Sequence, residues 1–193
     1  MNSDDVNTTA DVILIGALAA IWLSAGLLVD GLPVARSATE LRRRAGLLSA
    51  LIGAGAVVFV AVPLIPATET APTAALLTAV PAMVVLTTTW RRLGQVRRGA
   101  GAFATAPLAP VPPGLRAAAA HPLIAAPLQV TGLAALIGLP IAAGLVTVPG
   151  TDLAGIAITL AGLAVLAIGV RHALRHSRLS VRVVAPLKRV KQI

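Results

Sequence analysis

Uncharged apolar segments alternate with short charged segments along the whole chain. Five apolar segments are long enough to form membrane-spanning helices: residues 12–29, 45–64, 73–90, 126–148 and 153–170. A helix of about 20 residues, rising about 1.5 Å per residue, matches a hydrocarbon core of about 30 Å. The pattern therefore predicts an all-α integral membrane protein, a bundle of five transmembrane helices.

The fourth segment is longer than a single crossing needs. No Asp, Glu, Lys or Arg occurs between Arg116 and Asp152. Two short crossings would have to turn near Gln129–Gly132 without any charge, so we predict one crossing with a lead-in. Pro122 and Pro127 fit this lead-in, because proline is tolerated in the first turn of a helix and is disruptive inside it.

All sixteen basic residues fall on one side of the membrane in this five-span arrangement. Basic residues collect on the cytoplasmic side of membrane proteins. We therefore predict an acidic external segment 1–11, a cytoplasmic loop 91–116 and a basic cytoplasmic tail 171–193, with the N-terminus outside. The first segment lacks the positive charge that a signal peptide needs, so we expect an uncleaved first span.

Composition limits the classes of chemistry that the chain can carry. Hydrophobic residues make up 57% and charged residues 12% of 193 residues, and the net charge is +9. In a soluble protein this charge would suggest a nucleic-acid partner, but here the one-sided loops account for it, so we expect none. The absence of cysteine excludes disulfides and thiolate chemistry. The Arg- and Ala-rich composition is typical of a GC-rich genome, and we expect a bacterial cytoplasmic membrane.

The predicted spans carry no charged residue deep inside them. Proton relays and ion-coupled transporters place titratable groups at such depths, so the sequence disfavours pumps and voltage sensors. The chain also has no nucleophile elbow, Walker loop, dinucleotide fingerprint or zinc-protease motif. We therefore predict no catalytic residue, no cofactor and no bound metal.

Three histidines are the residues best suited to metal or base chemistry. His172 and His176 are four positions apart and would share a helix face, a spacing that can bind a metal ion, and His121 could supply a third ligand. The neighbouring arginines would repel a cation. We expect three solvated histidines at the inner membrane boundary, and whether they meet in space stays open.

Four arginines in the C-terminal segment are spaced four, three and four positions apart: Arg171, Arg175, Arg178 and Arg182. On a continuing helix they would form one stripe. We predict that this stripe contacts anionic lipid headgroups or an acidic surface of a partner protein.

Glycines and prolines mark further features of the predicted helices. Gly155, Gly162 and Gly169 recur every seven positions, which predicts a close-packing face within the bundle, against another subunit or against a second copy. Pro81 and Pro140 lie within spans and predict kinks, and each frees a backbone carbonyl that could bind a solute.

These features favour a non-catalytic accessory or assembly subunit of a larger membrane complex. The alternative is a small carrier or permease component for a neutral or lipophilic solute, which the two prolines suggest. A membrane enzyme that uses the three histidines is a third and weaker hypothesis. The hairpins of spans two–three and four–five also share a weak similarity, and whether they are a true repeat stays open.

Overall fold

The computed structural model describes residues 3–61, 79–103, 105–106, 108–142 and 151–190. The named α-helices are α1 (Ser3–Leu28), α2 (Ala38–Ala61), α3 (Trp90–Gly101), α4 (Pro113–Ala119), α5 (Pro122–Ala142) and α6 (Thr151–Val190). The described residues form no strand, only an isolated bridge between Ser37 and Pro110. The predicted all-α class is confirmed.

Two irregular helical segments connect these elements. A 3-10 helix, Val29–Val34, follows α1 directly. Residues 79–84 are helical and continue through a π-helix, Val85–Thr89, into α3. A π-helix is a local widening of the helical backbone. Both segments lie where neighbouring helices meet, and both supply side chains to the contacts described below.

Among the described residues, three helical stretches are long and apolar enough to cross a membrane: Gly16–Val34, Ala38–Ala61 and Pro113–Leu136. They overlap the first, second and fourth predicted spans. Residues 62–64, 73–78 and 143–148 of the predicted spans lie outside the described residues. The count of five spans and their orientation therefore stay predictions.

Several charged segments predicted as a tail or a loop are helical in the structure. Helix α1 already begins at Ser3, and α6 runs through the basic segment to Val190. Residues 91–101, which lie in the predicted loop 91–116, belong to helix α3. They are helical because Leu93, Val96 and Ala100 recur at helical spacing and are buried. The arginines between them are good helix formers and cover the opposite face.

Helix α2 starts earlier than its predicted span because polar residues cap it. Ser37 Oγ accepts the backbone N–H of Glu40 at 3.2 Å, and Glu40 Oε2 accepts the backbone N–H of Arg36 at 2.7 Å. This Ser-x-x-Glu spacing resembles the capping-box pattern of helix N-termini. Arg44, one turn later, pairs with Glu40 and also donates to the carbonyl of Gly31, which ties α2 to the 3-10 helix.

Helix α1 is the centre of the bundle and packs closely against both α2 and α5. Trp22 is fully buried at this crossing. A Cβ atom at Gly55 would lie 3.0 Å from the Trp22 ring, and one at Gly132 would lie 2.9 Å from the Trp22 carbonyl oxygen. A Cβ atom at Gly26 would lie 3.2 Å from the Cα of Gln129. Glycine is therefore needed where the backbones of α1 and α5 meet.

Helix α5 contains a proline whose missing N–H is compensated by a neighbouring helix. The helix begins at Pro122, so Pro127 lies inside it rather than in a lead-in. Pro127 leaves the carbonyl of Leu123 without its helical donor. Thr89, buried in the π-helix, donates its hydroxyl to this carbonyl at 2.8 Å. A hydroxyl group from another helix is one way in which proline is tolerated in a membrane helix.

Replacing Thr89 by Val should lower the free energy of unfolding by about 1 kcal/mol, because the Leu123 carbonyl loses the hydroxyl donor that takes the place of the missing N–H of Pro127. The same substitution should cost less in a Pro127→Ala background, where a backbone N–H is restored. Thr87→Val is the matched control, since the exposed Thr87 donates only to Met83 of its own helix. Reversible unfolding in detergent micelles measures the cost of Thr89→Val in both backgrounds and the cost of Thr87→Val. Equal costs with and without Pro127 would contradict this account.

Candidate functional site

A cluster of polar and charged side chains joins α1, α5 and α6 at one end of the bundle. We call it the Asp30 cluster, and it consists of Asp30, Gln129, Arg171, His172 and Arg175. Asp30 lies in the 3-10 helix that follows α1, Gln129 lies in α5, and the other three lie on one face of α6. The positions three and four apart on α6 allow its three side chains to meet the same partners.

The carboxylate of Asp30 binds two arginines of α6. Arg171 Nη2 donates to Asp30 Oδ2 at 2.8 Å, and Arg175 Nη1 donates to Asp30 Oδ1 at 3.1 Å. Arg175 Nη2 also donates to the backbone carbonyl of Asp30 at 3.1 Å. The side chain of Arg171 is 60% exposed and that of Arg175 is 26% exposed, so water screens the Arg175 ion pair less.

Gln129 connects the ion pairs to a buried histidine. Its Nε2 donates to the Gly26 carbonyl at 3.0 Å and to Asp30 Oδ2 at 3.3 Å. Its Oε1 lies 2.8 Å from His172 Nε2. Since the amide nitrogen is already used as a donor, the amide oxygen is the acceptor and His172 carries its proton on Nε2. Every member of the cluster therefore has a hydrogen-bond partner.

His172 is buried, so the expectation of a solvated histidine is wrong at this position. Gln129 makes the burial possible because it gives the ring N–H a partner away from water. Burial lowers the pKa of His172, the nearby Asp30 raises it, and Arg171 and Arg175 lower it further; the net direction is downward. The neutral ring is thus the form that the folded protein favours.

The rings of the other two histidines, His121 and His176, pack against each other and not against His172. The ring centroids of His121 and His176 lie 4.9 Å apart. His176 Nδ1 donates to the Ala117 carbonyl at 3.2 Å, and His121 Nδ1 accepts the backbone N–H of Leu123 at 3.1 Å. The four-residue spacing does place both α6 histidines towards the bundle, but they face different helices. Among the described residues, no group of three His, Cys, Asp or Glu side chains could hold a metal ion.

The predicted arginine stripe divides into two parts. Arg171 and Arg175 are occupied by Asp30. Arg178 is exposed and has no hydrogen-bond or ion-pair partner among the described residues. The side chain of Arg182 lies outside the described residues. Contact with anionic lipid headgroups stays a prediction; of the three stripe side chains that the structure describes, Arg178 has no hydrogen-bond or ion-pair partner among the described residues.

The predicted glycine stripe lies on an open part of α6. A Cβ atom at Gly162 or Gly169 would meet nothing within 4 Å among the described residues. The surroundings of Gly155 lie outside the described residues. Gly162 and Gly169 therefore do not pack closely against the described bundle, and docking of this face to another subunit stays a prediction.

The two predicted kinks are only partly described. Pro81 lies four residues before the π-helix, and the carbonyl that it would free, at Leu77, lies outside the described residues. Pro140 lies near the end of α5, and its side-chain surroundings lie outside the described residues. A role of either proline in solute binding therefore stays a prediction.

Two cavities adjoin the Asp30 cluster. An open groove of about 740 Å³ runs along the outer side of the ion pairs, and its walls include Asp30, Val34, Arg171, Leu174, Arg175 and Arg178. A smaller apolar pocket of about 260 Å³ lies between α1, α5 and α6, and its walls include Leu23, Leu27, Gln129, Leu133, Ile168 and Arg171. We call them the arginine groove and the apolar pocket.

Sequence reasoning missed the importance of Asp30 and Gln129. Asp30 directly follows the first predicted span, and Gln129 lies where two short crossings would have to turn, so neither position by itself predicts a contact with α6. A signal was present for Asp30, because Asp30 and Glu40 are the only acidic residues in the segments predicted to be cytoplasmic. Both of them pair with arginine. Gln129 was a long polar side chain inside an otherwise apolar segment, which in a membrane helix indicates a partner.

Asp30→Asn should lower the free energy of unfolding by about 1 kcal/mol, because Arg171 and Arg175 both lose their carboxylate. Arg175→Gln should cost a similar amount, and the double variant should cost less than the sum of the two. Arg178→Gln removes the same charge from the same helix without breaking an ion pair, so it should leave stability unchanged. Thermal unfolding in one detergent measures the stability of the four variants. If the costs of Asp30→Asn and Arg175→Gln simply add in the double variant, the Asp30–Arg175 ion pair contributes nothing to stability.

Lowering the pH should destabilise the protein through His172. Its pKa in the fold lies below the ordinary value of 6.5, so between these two values the unfolded chain binds more protons. The free energy of unfolding therefore falls as the pH drops through about 6.5. His172→Gln keeps an N–H donor for Gln129 but cannot titrate. Its melting temperature should fall less than that of the original protein between pH about 7.5 and pH about 5.5, and parallel losses would contradict the assignment.

Comparisons with protein-family models, with curated proteins and with solved structures give no match to this chain. The function must therefore be argued from the distances, charges and burial of the residues themselves.

Proposed function

We propose that this chain is a multi-pass protein of the bacterial cytoplasmic membrane that acts as a non-catalytic accessory or assembly subunit of a larger complex. The outer surface of α6 carries the proposal. Between residues 160 and 170 this helix exposes large apolar side chains, including Leu160, Leu163 and Leu166, around the open Gly162. Such a surface fits lipid tails and the small-residue contacts of another membrane helix.

The attachment of α6 supports this proposal because, among the described side chains of this helix, it is concentrated between residues 171 and 176. The hydrogen bonds from Arg171, His172, Arg175 and His176 hold the helix to the rest of the bundle. The preceding stretch, from residue 160 to residue 167, is largely exposed. The polar segment thus fixes the helix in position, while the described apolar stretch from residue 160 to residue 167 stays open to a partner.

The proposal includes five spans with the N-terminus outside and the C-terminus in the cytoplasm. Three contacts between distant segments support it. Asp30 meets Arg171, the N–H of Ala38 donates to the carbonyl of Ala109 at 3.1 Å, and His121 meets His176. These contacts bring together the end of α1, the start of α2, the segment between α3 and α4, the start of α5 and the basic part of α6. This is the grouping that a one-sided distribution of basic residues requires.

A carrier for a small neutral or lipophilic solute is the second candidate. The apolar pocket between α1, α5 and α6 favours it, because its walls are apolar and its polar end is formed by Gln129 and Arg171. The π-helix after Pro81 adds a local irregularity of the kind often found at functional sites. Five spans make a small transporter, so this hypothesis also requires a second copy.

The test is a pull-down of the tagged protein in mild detergent at native abundance, followed by mass spectrometry. A stoichiometric set of membrane proteins should co-purify, and Gly162→Leu should reduce its recovery at least tenfold without changing the melting temperature. Gly16→Leu is the matched control, because a Cβ atom at Gly16 on α1 also meets nothing within 4 Å. It should leave the recovery unchanged.

Two results would count against the subunit. Equal losses with Gly16→Leu and Gly162→Leu would mean that α6 is not the docking face. A monodisperse monomer or dimer without partners would reject the subunit and favour the carrier, with the apolar pocket as the place to look for its solute.

A further inference from the structure

The arginine groove and the apolar pocket form two parts of a single candidate ligand site. We propose that this site binds an anionic phospholipid of the cytoplasmic leaflet, with its phosphate in the arginine groove and one acyl chain in the apolar pocket. The inference rests on the proposed membrane insertion, in which the Asp30 cluster lies at the cytoplasmic boundary. It goes beyond general lipid contact because it names a defined site with two chemically different ends.

The two cavities share walls, so one molecule can occupy both. Asp30 and Arg171 line each of them. The ion pair between these residues therefore lies at the junction, and the side chain of Arg171 is 60% exposed. A ligand that reaches from the groove into the pocket passes directly beside this guanidinium group.

The order of residues along three helices gives the site a direction. Leu23 and Leu27 precede Asp30 on α1, and Ile168 precedes Arg171 on α6, so the apolar pocket lies on the membrane side of the ion pair. Helix α5 runs the opposite way in the proposed topology. Its pocket residue Leu133 follows Gln129, so it too lies on the membrane side of the ion pair. All three helices therefore place the apolar pocket towards the bilayer.

The groove residues lie on the other side of the same boundary. Val34 follows Asp30, and Leu174 and Arg178 follow Arg171, so the arginine groove extends towards the cytoplasm. A phospholipid has the same order of chemistry along its length, with a charged headgroup at the interface and chains in the hydrocarbon. The direction of the site therefore favours a phospholipid over a soluble ligand.

The charges of the groove select an anion. Arg171, Arg175 and Arg178 stand against the single carboxylate of Asp30, which leaves an excess of two positive charges. A guanidinium group has five N–H donors; Asp30 takes one from Arg171 and two from Arg175. The remaining donors, and all those of Arg178, can bind phosphate oxygens, for which the planar guanidinium is well suited.

Two other occupants match only one end of the site. A free phosphate ion would use the arginine groove and leave the apolar pocket without a role. An acidic segment of a partner protein would do the same. The lipid is the occupant that uses the guanidinium donors and the apolar walls together.

The first experiment measures headgroup selectivity with the full chain. The protein is reconstituted in phosphatidylcholine nanodiscs that contain or lack phosphatidylglycerol, extracted into mild detergent, and examined by native mass spectrometry for retained lipid. We expect phosphatidylglycerol to be retained in preference to phosphatidylcholine. Arg178→Gln should weaken retention about fivefold, which corresponds to about 1 kcal/mol for one arginine.

Arg97→Gln is the matched control for charge. Arg97 is an exposed arginine of α3, on the same predicted side of the membrane and outside the groove. Its substitution removes the same charge and should leave retention unchanged. An equal loss in both variants would overturn the site, because it would mean that the lipid responds only to total basic charge.

The second experiment tests the apolar pocket. Leu133→Trp fills the pocket and should reduce phosphatidylglycerol retention at least fivefold, whereas Leu163→Trp, the same change on an exposed position of α6, should not. If Leu133→Trp lowers the melting temperature, Ile168→Phe on the opposite wall replaces it. Unchanged retention in a folded, pocket-filled variant would overturn the two-part site.

A third measurement separates the lipid from other anions. In a neutral detergent, inorganic phosphate and soluble glycerophosphoglycerol should raise the melting temperature far less than phosphatidylglycerol does. Equal effects would assign the groove to a soluble anion and overturn the lipid. Failure of these tests is distinguishable from failure of the subunit proposal, because the Gly162→Leu pull-down uses the opposite, open part of α6 and does not depend on lipid retention.

Discussion

The carboxylate of Asp30, placed between Arg171 and Arg175, is the interaction on which the position of the last helix depends. Among its described residues, helix α6 exposes large apolar side chains from Leu160 to Val170, so burial of this stretch holds it only weakly to the bundle. The ion pairs and the His172–Gln129 hydrogen bond anchor it to α1 and α5 at one end. Because α1 is itself packed against α2 and α5, this anchor connects the basic end of α6 to the whole core. The position of α6 in turn determines its open surface and forms one wall of both the arginine groove and the apolar pocket.

A second constraint acts inside the bundle, where backbone polar groups need partners away from water. Pro127 breaks the hydrogen-bond ladder of α5, and the hydroxyl of Thr89 repairs it from the π-helix. Glycines at the crossing of α1 and α5 allow contacts that a side chain would prevent. These devices replace a strong hydrophobic force between helices, which lipid surroundings do not provide. The bundle is therefore held by close backbone contact and by a few well-satisfied polar groups.

The proposed roles use different parts of α6, and this division has a physical origin. Its basic end is occupied by Asp30 and Gln129 and is linked to the two cavities. On its apolar length, a Cβ atom at Gly162 would meet nothing within 4 Å among the described residues. A subunit contact needs the second part and a bound phospholipid needs the first. A lipid phosphate at the cluster would offset part of the excess charge of the arginine groove and would not cover the surface around Gly162, so both proposed contacts can exist at the same time.

Hydropathy determined the all-α class and the approximate places of α1, α2, α5 and α6, because a membrane helix satisfies its own backbone and needs only an apolar segment of sufficient length. The helical spacing of the α6 residues also correctly placed Arg171 and Arg175 on one face. The sequence could not show what that face meets. Arg175 and Asp30 are 145 positions apart, and Gln129 and Gly26 are 103 positions apart. Only tertiary packing decided that His172 is buried and that Thr89 donates to the carbonyl that Pro127 leaves without a donor. It also decided that Gly132 rather than Gly162 lies at a close crossing of helices.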